Sequence, residues 1–301
     1  MTASARLDAV DGAPSAPYRL ALIGDGIDKS LAPAFHTIAG QLLGLDVSYD
    51  LFPRAPTFDG QLEHFLVELA EDGYRGVNIT VPFKATAWRG AAQPDPDVVS
   101  MGVANTLLLG PDGPTHAYNT DFSGFKWAYR RRFGAIEPGV VALLGAGGVG
   151  TATATALVDL GATAIRIFDI VPEHSHALAR ALGERNDGVE ITMATSAVSA
   201  ALGADGVVNG TPVGMYFQPG TPIDPAAIAG QRWVFDAIYS PVETVLMSRA
   251  AEAGLQRISG LDLFLGQAID AFEVFTGHRL SPALVADLEA HIEVAERQRT
   301  L

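Results

Sequence analysis

Gly145-Ala146-Gly147-Gly148-Val149-Gly150 constrains this chain more than any other segment. It follows the apolar run Val140 to Leu144 directly and opens a stretch of small residues with helical periodicity at 149–160. A strand that turns on glycine straight into a helix leaves backbone N–H groups at the helix start free to meet phosphate. In such a turn Gly145 makes the bend, Gly147 lets a pyrophosphate approach the backbone, and Gly150 lets helix pack on strand. A second strand, Ala164 to Phe168, ends on Asp169 about twenty residues further on, where a carboxylate would accept hydrogen bonds from the adenosine ribose hydroxyls. That carboxylate repels a 2′-phosphate, and Ile170, Val171, Pro172 and Glu173 supply no arginine to hold one. The expected cofactor is therefore NAD, bound by Gly145, Ala146, Gly147, Gly148, Val149, Gly150 and Asp169. A cap on the helix starting at Pro172 is the alternative role for Asp169.

Elsewhere short apolar runs alternate with longer helical ones, which predicts an α/β fold with parallel sheet. Strands are expected at 19–23, 47–52, 77–80, 206–208 and 233–235, and helices at 33–43, 58–70, 262–275 and 282–297. With 301 residues and 48% apolar content the chain is long enough for two compact domains. The junctions are expected near Asp121, where an aromatic amphipathic helix begins, and near Gly260. A net charge of −14 lacks the footprint that binding to phosphate backbones needs, which argues against nucleic acid and anionic membranes as partners. There is no cysteine, so disulfides and thiolate chemistry are excluded. Residues 1–17 read as a frayed tail, and no apolar run approaches the ~18 residues of a membrane span, so a cytoplasmic protein is expected. Self-association into a homo-oligomer is left open.

Only three lysines occur, Lys29, Lys84 and Lys126, so a lysine inside a motif is informative. Lys84 closes Asn78-Ile79-Thr80-Val81-Pro82-Phe83-Lys84 at an expected strand end, where Pro82 helps stop the strand. Removing a hydride from a secondary alcohol requires the hydroxyl proton to leave as well, and Lys84 is the candidate to exchange it. On general grounds a lone lysine is a solvated surface residue. Asp121, in Asn119-Thr120-Asp121, taken alone reads as a helix cap.

The motifs occur together and in order. The segments 78–84, Gly102-Val103-Ala104-Asn105-Thr106, Asn119-Thr120-Asp121 with Gly124, and 145–150 are followed by Asn209-Gly210-Thr211-Pro212-Val213-Gly214-Met215, Asp236-Ala237-Ile238-Tyr239-Ser240-Pro241 and Gly266-Gln267-Ala268. Across about residues 19 to 280 the series resembles the shikimate/quinate dehydrogenase family. The resemblance implies a substrate domain at 18–121, a Rossmann-type NAD-binding domain at 122–260, and C-terminal helices at 261–301 that return to the substrate domain. It implies Lys84 and Asp121 as the catalytic pair. Thr80, Asn105 and Gln267 would hold ring hydroxyls, Ser30 and Tyr239 would lie near a substrate carboxylate, and Thr211, Gly214 and Met215 would lie beside the nicotinamide.

The implied substrate is a small cyclic polyol such as shikimate or quinate, and no metal is required because the hydride chemistry belongs to the cofactor. Asp169 resembles the NAD-preferring quinate/shikimate branch. Ser30-Leu31-Ala32 departs from the family's Ser-x-Ser, which removes one carboxylate-binding hydroxyl. An aminoshikimate or an uncarboxylated cyclitol is therefore the alternative substrate, and a non-catalytic NAD-binding sensor the alternative class. His174 and His176 lie two apart on an expected helix, point apart, and read as solvated rather than metal-binding.

Overall fold

The computed structural model describes residues 17–54, 60–185 and 188–299. The chain opens with β1 (Tyr18–Gly24), α1 (Ala32–Leu43), β2 (Val47–Pro53), α2 (Leu62–Glu71) and β3 (Tyr74–Ile79). It continues through β4 (Gln93–Pro94), α3 (Pro96–Met101), β5 (Thr106–Gly110) and β6 (Gly113–Tyr118). Among the described residues these strands form one sheet in the order β2-β1-β3-β5-β6-β4. The β2-β1-β3 half is parallel, as the βα alternation predicts, whereas β5 runs antiparallel to both β3 and β6. Leu20, Ala21 and Ile23 of β1 are wholly buried because helices cover both faces of this half. The tail expected at 1–17 lies almost entirely outside the described residues, as does the expected start of the second helix at Phe58.

The second unit opens with α4 (Thr120–Phe133), β7 (Val140–Leu144), α5 (Gly148–Asp159), β8 (Ala164–Phe168), α6 (Pro172–Arg185) and β9 (Glu190–Met193). It ends with α7 (Ala197–Ala201), β10 (Gly206–Asn209), β11 (Trp233–Asp236), α8 (Val245–Glu252) and β12 (Gln256–Ile258). The sheet runs β9-β8-β7-β10-β11-β12, parallel throughout. Numbered from β7, this is the 3-2-1-4-5-6 order of a dinucleotide-binding fold, and its direction reverses between β7 and β10. Ligands lie at such a crevice, at the carboxyl ends of the strands.

The chain closes with α9 (Gly260–Thr276) and α10 (Pro282–Arg299). Phe264, Leu265, Ala268, Phe272 and Phe275 of α9 bury into the first unit's core beside Phe35 and Leu20, while Leu263 joins the second core. Helices α4 and α9 cross closely because Gly124 and Gly266 face each other: a Cβ on Gly124 would lie 2.5 Å from the Gln267 nitrogen, and one on Gly266 2.7 Å from the Gly124 oxygen. Two glycines thus bring the two units together beside Gln267. No helix among the described residues is long and apolar enough to cross a membrane.

Candidate active site

The glycine turn sits at the reversal point. Gly145 takes φ +92°, a conformation that disfavours any side chain, and a Cβ on Gly150 would collide with the Gly145 carbonyl oxygen. A Cβ on Gly147 would project into open space, the cradle a pyrophosphate would fill, so the turn fits a dinucleotide. Gly148 and Val149 open α5 with their backbone at its positive end. Asp169 lies beside this turn. Its Oδ2 accepts from the Ala146 N–H at 2.8 Å, its Oδ1 from the Val171 N–H at 2.9 Å, and His174 Nδ1 stands 3.5 Å from Oδ1. Asp169 therefore shapes the entry to α6 and reaches the glycine turn at once. His174 and His176 are exposed.

Across the crevice Thr211 packs against Gly145, where a Cβ would lie 2.7 Å from the Thr211 methyl. The Thr211 hydroxyl donates to Asn209 Oδ1 at 2.7 Å and accepts from the Val213 N–H at 3.2 Å. Gly214, at φ +119°, and Met215 complete the turn, with Gly214 N–H on the Gln218 carbonyl at 2.8 Å.

Lys84 belongs to a short 3₁₀ turn after β3 and is 8% exposed. Its Nζ meets Asp121 Oδ2 at 2.5 Å, and Asp121 is 5% exposed. The surface reading of Lys84 fails because the turn directs the side chain inward, and the capping reading of Asp121 fails because Asn119 does that work. Asn119 Oδ1 accepts from the Phe122 N–H at 3.1 Å, which leaves the Asp121 carboxylate, in the first turn of α4, free to meet the lysine. A Cβ on Gly148 would lie 3.3 Å from Lys84 Cδ, so the lysine stem lies against the glycine turn.

A polar network runs along the floor of the same region. Asn105 Oδ1 accepts from the Thr120 N–H at 2.7 Å and from the hydroxyls of Thr106 at 3.0 Å and Thr120 at 3.1 Å. Gln267 Oε1 faces Asn105 Nδ2 at 3.4 Å and the Thr120 hydroxyl at 3.5 Å. Thr80 lies one residue past the end of β3 rather than inside it, and is half-buried. Asn78, Tyr49, Thr106 and Thr120 complete the network and were not expected as site residues. Asn78 Nδ2 donates to Thr106 Oγ1 at 3.0 Å, and the Tyr49 hydroxyl donates to Asn78 Oδ1 at 2.8 Å. The available signal was an asparagine between the apolar Val77 and Ile79 of a buried strand. His36 stacks on Tyr49 with ring centres 4.7 Å apart, and burial lowers its pKa to about 3, so it is neutral. Burial first and Tyr239 second push the Tyr49 hydroxyl well above the ordinary tyrosine value, and Tyr239 packs on Phe264 with ring centres 5.6 Å apart, against the same core cluster as Tyr49.

Ser30 lies just ahead of α1. Its Oγ accepts from the Ala32 N–H at 3.2 Å at the start of α1. Ala32 is 5% exposed and packs in the first unit's core.

Fold, reversal point and glycine turn define a two-domain α/β protein with a Rossmann-type domain for a dinucleotide. Comparison with known proteins narrows the class. Residues 22–107 match the shikimate dehydrogenase substrate binding domain. The quinate/shikimate dehydrogenase (NAD(+)) of Corynebacterium efficiens is 34% identical over 267 residues, covering 86% of this chain and 92% of that protein. The shikimate dehydrogenase (NADP(+)) of Pseudarthrobacter chlorophenolicus is 35% identical over 270 residues, covering 88% and 92%. Among solved structures, quinate dehydrogenase from Corynebacterium glutamicum in complex with NAD superposes with a TM-score of 0.83 at 31% identity, covering 92% of this chain and 99% of that one. The chain belongs to the shikimate/quinate dehydrogenase family.

Proposed function

We propose that this protein oxidises, and in reverse reduces, a ring hydroxyl of quinate, shikimate or a close cyclic polyol, with NAD as the preferred cofactor. The observation that carries the reading is the buried Lys84–Asp121 pair lying against Gly148 of the dinucleotide turn. A proton-transfer pair at that place serves a reaction in which proton and hydride leave together, and a sensor has no need of one. The domain division follows the same logic: 18–121 with 261–301 holds the ring, 122–260 holds the dinucleotide, and the reaction lies between them.

When bound, the nicotinamide accepts the hydride. The chain's residues supply binding, orientation and proton transfer. Lys84 Nζ exchanges the proton of the reacting hydroxyl as the carbon–oxygen bond becomes a carbonyl, and Asp121 Oδ2 holds the amine and the hydroxyl in line. Thr80, Asn105 and Gln267 hold the remaining hydroxyls, with Asn105 and Gln267 already oriented by Thr120. Ser30 and Tyr239 face the ring's carboxylate end. Asp169 takes the ribose hydroxyls while opposing a 2′-phosphate, and Ile170 beside it is exposed and uncharged. Relatives that use NAD and relatives that use NADP match this chain about equally well, so the preference rests on Asp169.

NADH absorbance measured with quinate, shikimate and related cyclitols, each with NAD and NADP, tests the assignment. Turnover of a carboxylated ring with NAD is expected. Dinucleotide binding without turnover of any ring alcohol would overturn it.

A further inference from the structure

Asp236 ends β11 with no solvent exposure. A carboxylate is costly to bury unless its oxygens are satisfied, so its partners show what it is there to hold. Its Oδ1 accepts from Asn209 Nδ2 at 2.9 Å and from the Ile238 N–H at 3.1 Å, and its Oδ2 accepts from the Thr244 hydroxyl at 2.6 Å.

The donors come from three segments. Asn209 builds the 209–215 turn: its Oδ1 takes the N–H and hydroxyl of Thr211 at 3.0 and 2.7 Å, and its Nδ2 also donates to the Val213 carbonyl at 3.1 Å. Ile238 directly precedes Tyr239. Thr244 caps α8, accepting from the Met247 N–H at 3.1 Å. The two loops also touch directly, since a Cβ on Gly214 would lie 2.9 Å from Ile238 Cδ1 and 3.5 Å from Thr244 Cγ2.

We infer that Asp236 is a positioning residue that fixes the 209–215 turn and the Tyr239 loop relative to each other. This rests on the proposed function, which sets the first against the nicotinamide and the second against the ring. One carboxylate then tunes cofactor and substrate sites together. Burial raises the Asp236 pKa to about 6 against the pull of its three hydrogen bonds, so near neutral pH the ionised form, which accepts all three, prevails.

Asp236→Asn keeps the size of the side chain but replaces one acceptor oxygen with a donor, which faces either the Thr244 hydroxyl or the donors of Asn209 and Ile238. The test compares Asp236→Asn, Thr244→Val and Thr244→Ser with the unmodified protein. It reads the melting temperature, NADH binding by fluorescence, and kcat with separate KM values for dinucleotide and ring. Loss of a hydrogen bond to a charged group changes an equilibrium by roughly tenfold or more, so both KM values should rise by about that factor in Asp236→Asn. Thr244→Val should move both in the same direction, and Thr244→Ser, which keeps the hydroxyl, should restore them. A lowered melting temperature with both KM values unchanged would make Asp236 merely structural. Movement of only one KM would break the coupling. Should the unmodified protein turn over no ring alcohol, the proposed function fails by itself. NADH binding then decides the cofactor half, with weakening in Asp236→Asn supporting the inference and unchanged binding refuting it.

Discussion

Removing Lys84 and Asp121 singly and together separates what the pair does for the fold from what it does for the reaction. Nζ and Oδ2 lie 2.5 Å apart, and the two residues are 8% and 5% exposed, so neither charge has water to fall back on. Breaking such a pair from one side leaves the other charge buried and unpaired, which costs about 3–5 kcal/mol. Against a total stability of roughly 5–15 kcal/mol that is a large share. Lys84→Met and Asp121→Asn should each be destabilised on this scale. The double variant, which removes both charges, should recover most of the loss because the two sites are coupled. Turnover should follow another pattern: each single variant and the double variant lose on the order of 10²–10⁴-fold in kcat, since Lys84→Met and the double variant lack the proton carrier and Asp121→Asn leaves it unaligned with the hydroxyl. Urea unfolding followed by circular dichroism gives the first quantity, and NADH formation per folded molecule gives the second. Near-native turnover by Lys84→Met would remove the lysine from the reaction. A double variant no more stable than the singles would show that the buried charges are not what holds this part of the fold.

Three further outcomes are expected. Asp169→Ser with Ile170→Arg should move preference from NAD toward NADP and weaken NAD, because the variant also loses the carboxylate that accepts from the Ala146 N–H; equal or better efficiency of the unmodified protein with NADP would refute the assignment. Ala32→Ser restores a hydroxyl at the start of α1, and a hydrogen bond to a charged group is worth roughly 1.5–3 kcal/mol, so kcat/KM for quinate or shikimate should rise about ten- to a hundredfold; no gain would show that the carboxylate is held without that position. Burial raises the Asp236 pKa from 3.8 to about 6, so between those values the folded chain keeps a proton that the unfolded chain has released, and stability falls by up to about 3 kcal/mol as pH rises through that window. Asp236→Asn lacks this component, and urea unfolding that gave both proteins the same slope across the window would count against it.

The second unit was more legible in the sequence than the first, and the reason is local. Its turn is written in glycines whose need is steric: Gly145 must adopt a left-handed φ and Gly150 must leave room for the Gly145 carbonyl, so the residues themselves announce the geometry. Strands β7 and β8 fell where the apolar runs placed them, because a fully covered parallel strand reads as continuous apolar sequence. The first unit hid its antiparallel part. Strands β5 and β6 are joined through Pro111-Asp112, and Gly110 pairs with Gly113. A Pro-Asp-Gly turn is a recognisable hairpin signal, but the strand before it begins at Thr106, the last residue of the 102–106 motif, and shows no alternation of buried and exposed residues. Short β4, β9 and β12 carry too few residues to show a period, and Glu190 and Gln256 open the last two with polar side chains.

The candidate site was legible as residue types in order, not as contacts, and the difference follows from how each side chain is held. Lys84 and Asp121 could be named from their motifs, yet each alone has a commoner explanation, and only the fold shows that Asn119 takes the cap and leaves Asp121 for the lysine. Asn78 and Tyr49 were missed because their roles are relational. A buried tyrosine hydroxyl and a strand asparagine satisfy each other across β2, β1 and β3, strands whose neighbours are not set by sequence adjacency. Asp236 belongs to the same kind. A carboxylate at a strand end is ordinary until its three donors prove to come from separate segments. Local backbone chemistry fixes where the cofactor turn must be. The reversal of strand order between β7 and β10 then brings Thr211 to Gly145, and the crossing of α4 and α9 at two glycines brings Gln267 to Thr120. The first unit's side of the site is thus specified by packing between distant segments, whereas the dinucleotide turn is specified by its own glycines.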